Sequence, residues 1–221
     1  MPTSQFKLKS FSLILLFLFL FPILAQAEIS YTLSARGFRK IFANHCLGLL
    51  FVTPGLTRPQ LKSSLPQLRI SEAEKDLGLN SLIANGWATE TAGALTATQA
   101  SKDKIVKTLG LYILFPEGRL TIVDLIAKLP IVRSAVTRQM MDSALAQLVV
   151  TAMVTITPST VTITHLGVLD VLDNHILYDT FLRGTLPRSY FDRRYPTAGV
   201  TGVEIDLAIL DLETRGLLNE V

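Results

Sequence analysis

The chain has 221 residues, 49% hydrophobic and 18% charged, which excludes global disorder and leaves room for one large domain or two to three small ones. Its single cysteine, Cys46, excludes an intramolecular disulfide, so a core must hold the fold. The formal net charge of +3 is small and partly N-terminal.

Phe11 to Ala27 carries no charge, follows Lys7 and Lys9, and ends in Ala25-Gln26-Ala27. A basic start, an apolar run and an A-x-A site form a secretory signal peptide over residues 1–27, with cleavage before Glu28 and a periplasmic or extracellular body. The alternative is an uncleaved anchor, because the seventeen residues sit at the lower edge of a bilayer span. Arg36, Arg39 and Lys40 nearly balance the lysines ahead of the run, so a membrane-anchored form with a cytoplasmic body stays open. No cysteine directly follows the run as a lipid acceptor. Losing Lys7 and Lys9 leaves 19 of the 21 basic residues against 18 acidic ones. A body so close to neutral is a poor electrostatic partner for bulk nucleic acid.

Ser34 to Phe51 is predicted as a first helix, stopped by Pro54-Gly55. Thr57 or Ser64 can cap the next helical segment. Ser71 to Asn85 is a longer helix, with Ser71 and Glu74 in capping-box spacing and Asn85-Gly86 as its left-handed end. Trp87 to Glu90 and Ala94 to Thr98 then form a hairpin around Ala92-Gly93.

Ser101 to Phe115 opens a second unit, and Pro116 to Gly118 is its turn. In Thr121 to Leu129 the residues Ile122, Leu125, Ile126 and Leu129 fall at helical spacing, and Pro130 stops them. Ser134 is placed to cap a longer helix with the apolar stripe Val136, Met140, Ala144 and Leu148. The period then changes to two: Val154 and Ile156, a turn at Pro158-Ser159, then Val161 and Ile163, each alternating with threonine. Leu166 to Leu182 reads as a long helix.

Short helix, turn, longer helix and hairpin is the order of a winged helix. The second unit resembles winged-helix repressors of the MarR type, in the stretch Arg133 to Arg138 (RSAVTR) and in the strand-then-glycine ending Thr164 to Gly167 (THLG). The resemblance covers about a fifth of the chain. It implies a winged-helix fold and, by analogy, DNA reading and pairing of two chains.

A repeat runs through the body. Leu79-x-x-Leu82-x-x-x-Gly86-Trp87 recurs as Leu145, Leu148, Ala152 and Met153, and again as Ile209, Leu212, Gly216 and Leu217, at offsets of 66 and 64 residues. Leu61, Leu65 and Pro66 match Leu125, Leu129 and Pro130, and Leu95 to Thr98 matches Val161 to Thr164. The predicted organisation is a signal peptide or anchor over 1–27, a winged-helix unit over 28–100, a second over 101–182, and a connection with a partial third unit over 183–221. Gly184 to Gly202, rich in Arg, Tyr, Pro and Gly, reads as irregular. Glu204 to Arg215 is a helix stopped by Gly216, and Val221 leaves no room for a hairpin, so this helix packs on the earlier units or seeks a partner chain.

The sharpest candidate site is the longer helix of the second unit, with Arg133, Ser134, Thr137, Arg138 and Gln139 facing DNA or a protein partner. Against DNA stand the acids Glu72, Glu74 and Asp76 of the first unit and Glu204, Asp206, Asp211 and Glu213 of the third, and a threonine-rich wing without Lys or Arg. A second candidate is Arg183, Arg188, Arg193 and Arg194, interleaved with Tyr190, Phe191 and Tyr195, for anions or lipid headgroups. The ordinary alternative is an ordered linker whose aromatics pack. Catalysis finds no pattern: His45 and Cys46 diverge by about 100° on a helix, His165 and His175 lack zinc-ligand spacing, and Asp170, Asp173 and Asp179 read as a solvated face. No nucleotide or hydrolase motif occurs, so no cofactor, metal or catalytic residue is expected.

The expected protein is mainly α with small β-hairpins, built of tandem winged-helix units. Its expected function is a non-enzymatic, exported or membrane-tethered module that binds a protein partner, a second copy included. Membrane contact is confined to the N-terminal segment. The alternative is a DNA-binding regulator that reads through the second unit.

Overall fold

The computed structural model describes residues 28–65, 70–128, 136–195 and 200–221. The apolar N-terminal segment, Pro66, the predicted helix stop at Leu129 and Pro130, and Arg133 and Ser134 lie outside them. Within them the protein is mainly helical with small antiparallel sheets, an α+β chain.

One sequence of elements is traversed three times. Strand β1 (Ser30–Leu33) leads into the long helix α1 (Ala35–Val52), followed by β2 (Leu56–Thr57), the short helix α2 (Arg58–Ser64), α3 (Glu72–Ala84) and the hairpin β3 (Ala88–Thr91) and β4 (Ala94–Ala97). The second pass is α4 (Gln99–Leu114), β5 (Arg119–Thr121), α5 (Ile122–Ala127), α6 (Arg138–Val150), β6 (Val154–Ile156) and β7 (Thr160–Ile163). The third is α7 (His165–Arg183), β8 (Leu186–Pro187), α8 (Arg188–Arg194), α9 (Gly202–Thr214) and β9 (Leu218–Glu220).

Three three-stranded sheets result, in the orders β2-β4-β3, β5-β7-β6 and β8-β1-β9. The third is completed by the N-terminal strand. Leu33 pairs with Leu218 as Ala97 pairs with Ala88 and Ile163 with Val154. On the other edge Tyr31 pairs with Leu186 as Leu95 does with Leu56 and Val161 with Leu120. All six registers obey the offsets of 64 and 66 residues. The expectation that the chain ends without room for a hairpin is therefore corrected, because β1 supplies the missing strand. The reading of Gly184 to Gly202 as irregular is corrected too. It carries β8 and α8, with Pro187 at the helix N-cap, where its fixed φ and missing N–H cost nothing.

The junction between units is built the same way three times. After α3, α6 and α9 the chain turns through a residue of positive φ: Gly86 (+68°), Ala152 (+54°) and Gly216 (+63°). The residue capping the next long helix then donates its hydroxyl back to that turn: Thr98 to the Gly86 carbonyl (2.8 Å), Thr164 to Ala152 (2.6 Å) and Ser34 to Gly216 (2.6 Å). Each hydroxyl also accepts from the helix, from the amides of Ser101, Gly167 and Gly37. The backbone amides of Thr98, Thr164 and Ser34 reach the Trp87, Met153 and Leu217 carbonyls at 3.0 to 3.1 Å. The first two junctions are local, and the third joins positions 182 residues apart.

The long helices α1, α4 and α7 pack pairwise at the centre. The core has two parts. Phe42, Cys46, Leu47, Leu61, Leu79, Leu82 and Leu95 form one within the first unit. The other runs continuously through the second and third and takes in Tyr31 and Leu33 of β1. Phe38, Ile105 and Phe181, one from each long helix, pack against both.

Helix α6 also corrects an expectation. It starts at Arg138, not after Ser134, and Thr137 caps it by accepting from the Met140 amide at 3.2 Å. Its buried stripe is Met141, Ala144, Leu145 and Leu148, while Val136 precedes the helix and Met140 is half-buried.

Helices meet the carbonyls of the preceding turn so closely that two positions exclude a Cβ. At Gly37 it would overlap the Leu217 carbonyl, and at Gly167 the Met153 carbonyl. Gly37→Ala is expected to cost roughly 1–3 kcal/mol in urea unfolding, the usual scale of overpacking. Gly48→Ala, on the same helix with open space around it, should stabilise by about 0.5–1 kcal/mol.

Candidate functional site

The predicted contact helix presents less free chemistry than its sequence implies. Thr137 spends its side chain on the cap of α6. Arg138 Nε contacts both carboxylate oxygens of Asp142, one turn on, at 2.9 and 3.1 Å. Gln139 is exposed, and Arg133 and Ser134 lie outside the described residues. The acids expected to repel phosphate are largely neutralised locally. Glu74 pairs with Arg39 (2.8 Å), Asp76 with Lys62 (2.6 Å), Glu72 with Lys75 (2.9 Å) and Asp206 with Arg188 (2.8 Å).

The four arginines of the second candidate do not converge. Arg188 bridges Asp192 (2.6 Å) and Asp206 and donates to the Gly202 carbonyl (3.0 Å), tying α8 to α9. Arg183 stacks 5.5 Å from the Tyr190 ring. Arg194 stands 3.5 Å from Asp179, and Arg193 is exposed. The aromatics pack as an ordered linker would: Phe191 and Tyr195 are buried, with stacked rings.

Cys46 is fully buried, and burial pushes its thiol up to about 12. His45 bonds the Ser64 hydroxyl at 3.2 Å, and burial pulls its pKa down. His175 sits among Tyr112, Phe115 and Tyr195. The solvated-face reading of the α7 acids is corrected for two of the three. Asp179 is buried and accepts from Tyr195 (2.6 Å) and Tyr190 (3.2 Å). Asp173 is buried and accepts from Arg215 at 2.7 Å. The period of α7 hid this, because the helix is enclosed on more than one side.

A concave site does exist, and it sits where the long helices meet. The cavity holds about 550 Å³ and is lined by the same positions of three helices in successive layers. Lys40, Lys104 and Asp170 form one layer at offsets of 64 and 66, and Asn44, Thr108 and Asn174 form the next, one helical turn on. Gly48, Tyr112 and Tyr178 form the third. A neighbouring cleft of about 400 Å³ shares Lys40, Asn44, Lys104 and Arg215 with it and adds Arg36, Arg39 and Trp87. Lys104 Nζ lies 3.3 Å above the Trp87 ring centroid. Burial, with Lys40 and Lys107 adding repulsion, brings the Lys104 ammonium down to about 8. Burial also lowers Lys40, with Arg215 contributing. The site is hidden in the sequence because the residues that mark the repeat most clearly, leucine and glycine, lie on α3, α6 and α9 and at their ends, not on the long helices. Extending the same offsets back onto the long helices would have found it.

No family model matches the chain, and neither does any curated protein. The site is therefore read from its own chemistry.

The outer faces of α3, α6 and α9 differ. On α9, Val203 (64% exposed), Leu207 (41%) and Leu210 (58%) lie at i, i+4 and i+7 and form an apolar stripe. The equivalent positions are Gln139, Ser143 and Ala146 on α6, and Ala73, Leu77 and Asn80 on α3. Only α9 is apolar at all three.

One prediction concerns Asp173. Burial, with Asp211 beside it, raises its pKa from an ordinary 3.8 to about 8. The folded state thus holds a proton that the unfolded state has released, and stability, greatest below the ordinary value, falls as pH rises towards about 8. Thermal melts should show Asp173→Asn flattening this decline, with the wild type losing on the order of 5 °C across the window.

Proposed function

We propose that this chain is a non-enzymatic interaction module of winged-helix units, exported or membrane-tethered, that binds a protein partner through α9. The apolar stripe Val203, Leu207 and Leu210 carries the reading. Leaving three large aliphatic side chains in water on a helix that already buries Ile205, Ala208, Ile209 and Leu212 gains the isolated chain nothing, and a partner removes that exposure. Two repeats of the same element lack the stripe, so the scaffold does not require it.

The winged-helix assignment draws support from the order of short helix, longer helix and hairpin, found three times with one register. Export after cleavage before Glu28 fits the local structure. The Glu28 carboxylate accepts from the Ser189 amide at 2.6 Å, and the Ser189 side chain, together with that amide, holds its pKa below the usual range. Ser30 already begins a strand. Among the described residues no helix is long and apolar enough to cross a membrane.

The DNA-reading alternative has less behind it. Its exposed arginine at the start of α6 is held by Asp142, and the wing threonines Thr157 and Thr160 bond each other at 2.6 Å.

A photo-crosslinking residue at Leu207, introduced in the native host, should yield a discrete adduct with one protein, while the same residue at Gln147 on α6 yields none. Leu210→Asp should abolish the adduct without lowering the melting temperature. Absence of any adduct at Leu207 defeats the α9 reading, and an adduct with the chain itself makes the partner a second copy. Gel shift with random duplex at low salt is expected to show no binding. Retardation that Arg138→Ala removes, with a steep salt slope, would restore the regulator reading.

A further inference from the structure

The axial cavity brings together two lysines from different repeats, Lys40 and Lys104, that have no ion pair among the described residues. Among the described residues neither Lys40 nor Arg36 has an ion pair, and Lys104 contacts an aromatic face instead of a carboxylate. Asp170 is the one carboxylate lining the larger cavity, and none lines the neighbouring cleft, among the described residues. The half-buried Lys40 and Lys104 ammonium groups lie at one level and lose hydration, while Arg215 beside them is already paired with Asp173 and Asp211. No carboxylate makes a direct ion pair with either lysine among the described residues, so an oxyanion placed between them gains charge-assisted hydrogen bonds that the fold does not already supply.

The layer below supplies complementary chemistry. Asn44, Thr108 and Asn174 each carry donor and acceptor capacity, which suits hydroxyl groups. Asn174 donates to the Asp170 carbonyl, while the side chains of Asn44 and Thr108 make no hydrogen bond among the described residues. Tyr178 adds an aromatic edge beneath them. The volume of about 550 Å³ suits a molecule of monosaccharide size, not a polymer laid in a groove.

We propose that the axial cavity binds a small anionic, polyhydroxylated ligand, in the class of sugar phosphates and sugar acids. Lys40 and Lys104 hold the anionic head, and Asn44, Thr108 and Asn174 hold the hydroxyls. Since the cations come from different repeats, the ligand also ties the units together. This site is separate from the α9 stripe, and its occupancy does not depend on a protein partner.

Calorimetric titration of the purified protein with glucose 6-phosphate, glucuronate, inorganic phosphate and glucose tests it. At least one of the two anionic sugars should bind ten times or more tightly than inorganic phosphate, and glucose should give no heat. The tighter of the two identifies a phosphate or a carboxylate head. Lys40→Met and Lys104→Met should each weaken binding at least tenfold, and Asn174→Ala should weaken the sugar without changing inorganic phosphate. Lys128→Met, whose lysine pairs with Glu117 and lines neither cavity, should leave binding unchanged. Lys40 has no ion pair to lose, so Lys40→Met should melt at or above the wild-type temperature, and lost binding then reports on the site. No binding of any probe at millimolar concentration, binding that survives both lysine variants, or glucose binding as tightly as the anionic sugars would each overturn the proposal.

Discussion

The backbone pairing of β1 with β9 and β8 is the constraint on which the rest depends. It joins the first described strand to the last, and the Ser34 hydroxyl and amide seal it on the Gly216 and Leu217 carbonyls. β1 is the central strand of its sheet, so neither β8 nor β9 has a strand neighbour until it arrives. Bringing together positions 182 residues apart costs loop-closure entropy before any contact rewards it, although that cost grows only slowly with length. The local junctions at Thr98 and Thr164 have no such delay. Those elements can form first, with closure coming later. The axial cavity depends on closure too, because Lys40, Lys104 and Arg215 meet only when the first and third passes are side by side.

Repetition made much of the fold legible. The offsets of 66 and 64 residues, first seen in leucine and glycine positions, hold through every strand register. Capping chemistry was readable where it is local: Ser71 accepts from the Glu74 amide, and Asn85-Gly86 ends its helix as the residues suggest. The features that stayed hidden had non-local causes. β1 is four residues long and its partners, Leu186–Pro187 and Leu218–Glu220, lie far along the chain, so its short alternation Ser30-Tyr31-Thr32-Leu33 has no neighbouring strand or turn to mark it as part of a sheet. Helix α8 hides behind Pro187 and a run of arginines, and it is fixed by Arg188 bonding to Asp206 and Glu28 bonding to the Ser189 amide.

The candidate site was less legible than the fold, and for a different reason. Lys40 and Lys104 occupy one position of the repeat, but Asp170 takes the third place, so the layer carries no common residue type across all three passes. The α6 residues drew notice because their types suit DNA, but Arg138 is committed to Asp142 one turn away, a pairing legible in principle from their i,i+4 spacing. The outer helix faces of the three passes differ in the same way. The face of α3 is laced with ion pairs, that of α6 is polar at its start, and that of α9 is apolar.

The pairing of β9 with β1 also bears on topology. In the first unit, Thr91 and Ala94 flank a two-residue turn in which Ala92 and Gly93 both have positive φ. By the repeat offsets Val221 corresponds to Thr91 and Ser30 to Ala94, and the Val221 amide donates to the Ser30 carbonyl at 2.9 Å. Val221 and Ser30 therefore face each other where the first unit places a hairpin turn. Among the described residues the three sheets thus share one strand pairing, although only in the first two does a local turn join a pair of neighbouring strands. A two-residue bridge from Val221 to Ser30 would circularise residues 30–221 without moving a strand, and the turn at Ala92-Gly93 could then serve equally well as the place where such a chain is opened.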